Sequence, residues 1–206
     1  MLVVFDDIAI IWQIKNLKLD ENGKYKQGEV EKNIRQLAGA QKQLIELKAP
    51  IRLQNTRRTE ETFNASQIKQ VFLVSVLFGE GEEQYSAIDK IKVHHVHVFD
   101  QKFTQIVLNE LDTIADFVEY LKAKEAFVNS GKQIMINGGE EELLAIYLMH
   151  GRTLEQLSEI DPKVINGNGW RYLQERLEYI EKKKDDKISY GWDSIINRAH
   201  EGGPKY

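Results

Sequence analysis

The sequence predicts a mixed α/β protein whose second half is mostly helical. Three observations carry that prediction. Residues 1–15 read as two apolar strands joined by an acidic turn. Gln70–Phe78 is an unbroken, β-branched apolar run. From about Phe103 onward the apolar spacing changes from period two to period 3.6. We expect an α/β core over residues 1–102 and a mostly helical region over 103–206.

The opening strands can be read from side-chain alternation. Ile8, Ile10, Trp12 and Ile14 share one face, and Ala9, Ile11, Gln13 and Lys15 share the other. The first face is wholly apolar and should pack on a core. The second becomes polar only at Gln13 and Lys15. A strand buried on both faces has no ordinary packing reason to end one of them with an amide and an ammonium. The structural alternative is a strand-end lysine that snorkels to solvent.

A two-residue turn at Asp6-Asp7 pairs Phe5 with Ile8, Val3 with Ile10 and Met1 with Trp12. The partner of Gln13 then falls immediately before Met1. Asp6 and Asp7 are themselves roughly 20 Å from Gln13 at ~3.3 Å per residue. They cannot share a metal with it and read as turn residues.

The pattern Leu2-Val-Val-Phe5, acidic turn, Ile8-Ala-Ile-Ile-Trp-Gln-Ile-Lys15 resembles the paired core strands of the PD-(D/E)xK nucleases. The resemblance implies a restriction-endonuclease-like mixed sheet with flanking helices. In that family an aspartate opens the first strand and Glu/Gln-x-Lys closes the second. Carried over, Gln13 takes the metal-binding Glu/Gln position and Lys15 the catalytic lysine. The aspartate position lies before Met1, as do the family's first helix and strand. What is implied is a Mg²⁺-dependent phosphodiester hydrolase acting on nucleic acid, DNA first, in a fragment or start-shifted form. Carboxylate and amide oxygens suit a hard Mg²⁺. The metal activates water, and the lysine offsets charge at the phosphate. Gln13 alone is a poor Mg²⁺ ligand. A non-catalytic nucleic-acid or protein interaction module on the same fold is the alternative.

A helix is expected over Glu29–Lys48, with Val30, Ile34, Leu37, Leu44 and Ile45 as its apolar stripe and Pro50 ending it. Ala38, Gly39 and Ala40 should let it approach the sheet. Gln41 falls inside the stripe and Gln36 at its edge. The stretch Gln36–Leu44 resembles the helix that follows the family's core hairpin. In some branches a glutamine there supports the metal site. Resemblance favours Gln36, and burial favours Gln41, against a satisfied structural amide for either.

Thr56-Arg57-Arg58-Thr59 reads as a phosphate contact or an exposed loop. Gln70–Phe78 should be the central strand and Val93–Phe99 the next one. His95 and His97 share a face of that strand, so they are candidates for Zn²⁺ or Cu²⁺. No carboxylate is obviously placed to help them, and half-buried strand histidines are the plainer reading. Helices follow over Thr104–Leu111 and Thr113–Asn129, with Asp112-Thr113 as the cap between them.

Ile136–Gly139 is a turn, and Glu140-Glu-Glu142 opens a helix through Met149 with acids near its positive end. Leu154–Ile160 is a short helix. Asn166-Gly-Asn-Gly169 is a turn rather than a phosphate loop, lacking a preceding strand and a Lys-Ser/Thr ending. Trp170–Lys184 and Trp192–Ala199 are the last helices.

Composition narrows the classes. The chain of 206 residues is 42% hydrophobic and 29% charged, ordinary for a soluble domain. It has no cysteine, which excludes disulfides and thiolate metal sites. No signal peptide or membrane span is visible, so a cytoplasmic protein without a membrane partner is expected, with homo-oligomerisation left open. Residues 1–58 hold 11 Lys/Arg against 7 Asp/Glu, and the remainder 17 against 25. The basic part therefore coincides with the nuclease-like strands, as nucleic-acid binding would require.

Overall fold

A computed structural model describes residues 1–47, 50–55, 58–79, 86–91, 94–131, 134–159, 163–165 and 167–187. The fold is mixed α/β: a five-stranded sheet with helices on both faces. Strand β1 (Leu2–Phe5) pairs antiparallel with β2 (Ile8–Asn16), and Asp6-Asp7 make the turn. The register is the expected one, Phe5 against Ile8 and Val3 against Ile10, and Met1 exchanges two backbone bonds with Trp12. Asp6 adopts a left-handed φ of 52°, and Asp7 pairs with Lys69 at 3.0 Å. That bond holds the Asp7 carboxyl below its usual range. The two acids belong to the turn.

Helix α1 (Gln27–Gln41) then carries the chain back across the sheet. It starts two residues earlier than expected and continues as one wide π turn over Lys42–Glu46. Lys48 lies outside the described residues. Val30, Ile34 and Leu37 are buried against the sheet, with Leu44 and Ile45 at the margin. Gly39 is not a close-approach residue: it is exposed, and nothing lies within 4 Å of where its Cβ would be.

Residues 51–63 were not expected to be a hairpin. They form β3 (Ile51–Asn55) and β4 (Arg58–Phe63), a separate antiparallel pair. Strand β3 alternates only over Ile51-Arg-Leu-Gln54, too short a run to mark a strand, and β4 is polar up to Phe63. Thr56 and Arg57 lie outside the described residues.

Strand β5 (Gln70–Phe78) is the central strand, parallel to β2. Beyond it come β7 (His94–Asp100), parallel to β5, and the edge strand β6 (Ser86–Ile91), antiparallel to β7. Strand β6 also went unpredicted, because Ser86–Ile91 mixes charged and apolar residues. Three parallel strands with antiparallel edges make the sheet mixed.

Helix α2 (Gln101–Glu110) begins three residues before the expected Thr104. Asp100 caps it, its Oδ1 accepting from Phe103 N at 2.6 Å. The expected domain boundary at residue 102 thus falls in its first turn. Helix α3 (Ile114–Asn129) is capped by Thr113 as anticipated, and α4 (Glu141–Met149) follows. These three helices cover the face of Ile10, Trp12, Phe72, Val74, Val76 and Phe99. Ile14 does not join that core; it is 52% exposed. Helix α1 covers the other face, over Ile11, Leu73, Leu77, Val96 and Val98.

The remaining elements lie beyond α3. Strand β8 (Ile134–Ile136) pairs in parallel with β9 (Lys163–Ile165), and Glu155–Glu159 form a 3₁₀ turn in place of the expected helix. A short strand therefore does precede the glycine turn at residues 167–169, contrary to expectation. The turn is still not a free phosphate loop. It opens α5 (Gly169–Glu175), whose first amides are already taken by Glu142 Oε2, from Gly169 N at 2.6 Å and Trp170 N at 3.1 Å. The single helix expected from Trp170 is broken at Arg176, where ψ is 137°, and resumes as α6 over 177–187. Trp192–Ala199 lies outside the described residues. Among the described residues no helix is long and apolar enough to cross a membrane.

Candidate functional site

Sheet pairing decides what surrounds Gln13 and Lys15. In a parallel pair, partnered residues project to the same face. Gln13 pairs with Ser75, which pairs with Val98. Lys15 pairs with Leu77, which pairs with Asp100. These two rows stand at the carboxyl end of the parallel strands, on the α1 face. Gln13 and Lys15 are each partly buried.

Two polar residues on this face were not singled out from the sequence. Asn33 of α1 is 1% exposed and Ser75 fully buried, and Asn33 Nδ2 donates to Ser75 Oγ at 2.7 Å. Asn33 Oδ1 has no hydrogen-bond partner. A signal was present in both cases. Asn33 lies on the stripe three residues after Val30, and Ser75 interrupts the apolar run of β5.

The rim of the site is a lap of chain after β2. Leu19 bridges to Tyr25. The turn between them is held by Asp20 Oδ1, which accepts from Asn22 N at 2.8 Å and Lys24 N at 2.9 Å. Those amides keep the Asp20 carboxyl below its usual range, that of Lys24 contributing most. Gly79, just past β5, admits the lap: a Cβ there would sit 2.6 Å from Leu17 O and 2.8 Å from the Tyr25 ring. Lys18, Lys24 and Lys26 are exposed on the lap beside Asp20 and Glu21, so with Lys15 the edge carries a small excess of positive charge.

The two helix glutamines do not reach this edge. Gln36 is exposed on the outer side of α1. Gln41 is 3% exposed, and its Nε2 donates to His94 Nε2 at 2.8 Å. His94 stands level with Val71 and Ala9, at the opposite end of the strands. That is four residues from the Gln13 row, about 13 Å at ~3.3 Å per residue, and two strands over. Gln41 satisfies a histidine, not the candidate site.

The opposite end of the register matters equally. With Met1 beside Trp12, the pairing position of Gln13 precedes Met1. The oxygens on this face are neutral: the Gln13 and Asn33 amides and the Ser75 hydroxyl. Asp100, in the Lys15 row, is 6% exposed and committed to capping α2. A hard Mg²⁺ requires charged oxygens, so these residues do not fit that ion by themselves. Among the described residues no group of three His, Cys, Asp or Glu side chains could hold a metal.

The histidines of β7 face two helices. His95 and His97 do share a face, but both are buried more deeply than expected. His95 Nε2 donates to Asn129 Oδ1, and His97 Nε2 is hydrogen-bonded to Glu125 Oε1, each at 3.0 Å. The carboxylate absent from the sequence reading is therefore supplied by α3. Burial lowers the His97 pKa well below the usual value and raises that of Glu125 to about 7. The pair ties β7 to α3.

A cleft of about 430 Å³ opens on the other face, between β1–β2 and α2–α3. Trp12, Ile14, Phe78, Leu108 and Ile114 line it. Asp112, which lines it along with the N-terminal residue Met1, faces Lys182 at 3.6 Å. It offers no chemistry comparable to the basic edge. No family model matches this chain, and comparisons with curated proteins and with solved structures likewise return no match.

Proposed function

We propose that the carboxyl end of β2 and β5 is the phosphodiester-binding edge of a nuclease-like protein, serving metal-dependent hydrolysis of nucleic acid. One observation carries this reading: Gln13 and Lys15 stand together on one face at that end, beside a lysine-bearing lap. Open α/β sheets bind ligands outside the carboxyl ends of their strands. Lys15 supplies a cation for a backbone phosphate, and Gln13 supplies a neutral donor and acceptor. The exposed lysines of the lap add the sequence-independent attraction that a polyanion needs. Hydrolysis requires a carboxylate opposite Gln13. Without one, the same edge binds without cutting, which is the interaction-module form of the reading.

Binding of single-stranded and duplex DNA oligonucleotides, followed by fluorescence anisotropy across a salt series, tests the edge. Lys15→Ala should weaken binding and reduce the salt slope by about 1. Cleavage with Mg²⁺ or Mn²⁺ is then compared between this chain and a variant with an aspartate placed directly before Met1. Cleavage gained only by that variant supports the hydrolytic form. Absence of binding, or binding indifferent to Lys15→Ala, overturns the reading.

A further inference from the structure

We infer that Asn33 is the positioning residue of Gln13: its Oδ1 accepts from Gln13 Nε2 and so turns Gln13 Oε1 outward at the sheet edge. The role assigned to that oxygen rests on the reading of this edge as a phosphodiester site. The hydrogen bond itself rests on burial and register.

Asn33 is wedged between α1 and the sheet. One end of its amide is satisfied, Nδ2 donating to Ser75 Oγ. The other end, Oδ1, is buried with no partner. A buried carbonyl oxygen without a donor is costly, so a donor within reach is favoured. The register limits the choice. On this face Ser75 is flanked by Gln13 and Val98 in its own row, and by Ile11, Leu73 and Val96 in the row before. The row after it holds Lys15, Leu77 and Asp100. Of these sheet residues only Gln13 and Lys15 carry side-chain N–H donors, and Gln13 is in the nearer row, so Gln13 is the donor the register favours.

The bond would give Gln13 a direction. A free glutamine amide presents nitrogen or oxygen outward with little preference. With Nε2 held inward, the outward atom is Oε1, an acceptor. A glutamate at position 13 has no donor for Asn33 Oδ1. It can be accommodated only if the Asn33 amide flips, giving Nδ2 to Glu and taking the Ser75 hydroxyl proton on Oδ1. An aspartate at position 33 cannot flip out of that conflict.

Four proteins test this: the parent, Gln13→Glu, Asn33→Asp and the double variant. Thermal midpoints are measured at neutral and acidic pH. Each single variant should fold. The double variant should lose more at neutral pH than the two singles combined, and recover that excess as the carboxyls protonate. In the parent, the Gln13 side-chain NH₂ signal, assigned by its absence in Gln13→Glu, should exchange with solvent at least tenfold more slowly than an exposed glutamine amide. Additive midpoints at both pH values, or a Gln13 amide that exchanges at the free rate, overturn the inference. If the coupling is found while DNA binding ignores both residues, the functional reading fails and the hydrogen bond stands.

Discussion

Lys124 and Glu140 meet inside the protein, the ammonium 2.6 Å from both carboxylate oxygens, with 6% and 0% of their side chains exposed. Tyr120 OH adds a third hydrogen bond to Glu140 at 2.9 Å. Burial and the adjacent carboxylate push the Tyr120 pKa well above its usual value. The run Glu140-Glu-Glu142 therefore does more than favour a helix start. Glu140 takes Lys124 of α3, Glu141 takes Lys102 of α2, and Glu142 takes the first amides of α5. Three consecutive acids fasten α4 to three other helices.

Removing one partner of the buried pair should be severe. Lys124→Met leaves Glu140 charged and uncompensated, with an expected loss of about 3–5 kcal/mol. Lys124→Met combined with Glu140→Gln should recover a large part of that loss, because no charge then remains buried. Urea unfolding of both variants checks the difference.

The Glu142 cap predicts a local effect. Glu142→Ala leaves the amides of Gly169 and Trp170 without their acceptor and should cost about 0.5–2 kcal/mol. The change should concentrate in α5. Faster amide exchange at residues 169–173, with α2 and α3 unaffected, is the expected result.

Gly79 should tolerate no side chain. Gly79→Ala drives a methyl into the Leu17 carbonyl and the Tyr25 ring, at 2.6 and 2.8 Å. Displacing backbone to relieve that contact should cost about 1–3 kcal/mol. If the edge binds nucleic acid as proposed, DNA affinity should fall together with stability, because the lap carries Lys18, Lys24 and Lys26.

The His97–Glu125 pair predicts a pH dependence. In the folded chain Glu125 holds its proton up to about pH 7, against an ordinary value of 4.5. Between those limits the folded state binds more protons than the unfolded one, so this contribution is full below 4.5, falls as pH rises and is gone above 7. His97 acts with the opposite sign. Its folded pKa is depressed by burial, so its contribution is lost as pH falls below 6.5. Glu125→Gln should therefore remove a loss of thermal midpoint between pH 5 and pH 8 and leave the acid limb set by His97. Identical pH profiles for parent and variant would contradict the burial-raised pKa of Glu125.

Much of the fold could be read locally. Alternation over residues 1–16 sets the first hairpin and its register, and the apolar run at Gln70–Phe78 marks the central strand. The stripe Val30–Ile34–Leu37 marks the buried face of α1. Strands β3, β4 and β6 escaped because β3 alternates over only four residues, β4 is almost wholly polar and β6 mixes charged and apolar types without alternation. Of the candidate site, the sequence set Gln13 and Lys15 on one face and placed the partner position of Gln13 before Met1.

Tertiary packing decided the partners. Asn33 meets Ser75 across 42 residues, Glu125 meets His97 across 28, and Gln41 belongs to His94 at the far end of the sheet. The reason is physical. Water and apolar burial act on every residue of an element, so they leave a period in the sequence. A hydrogen bond between two buried side chains depends on which elements lie side by side and in what register, and it leaves no period.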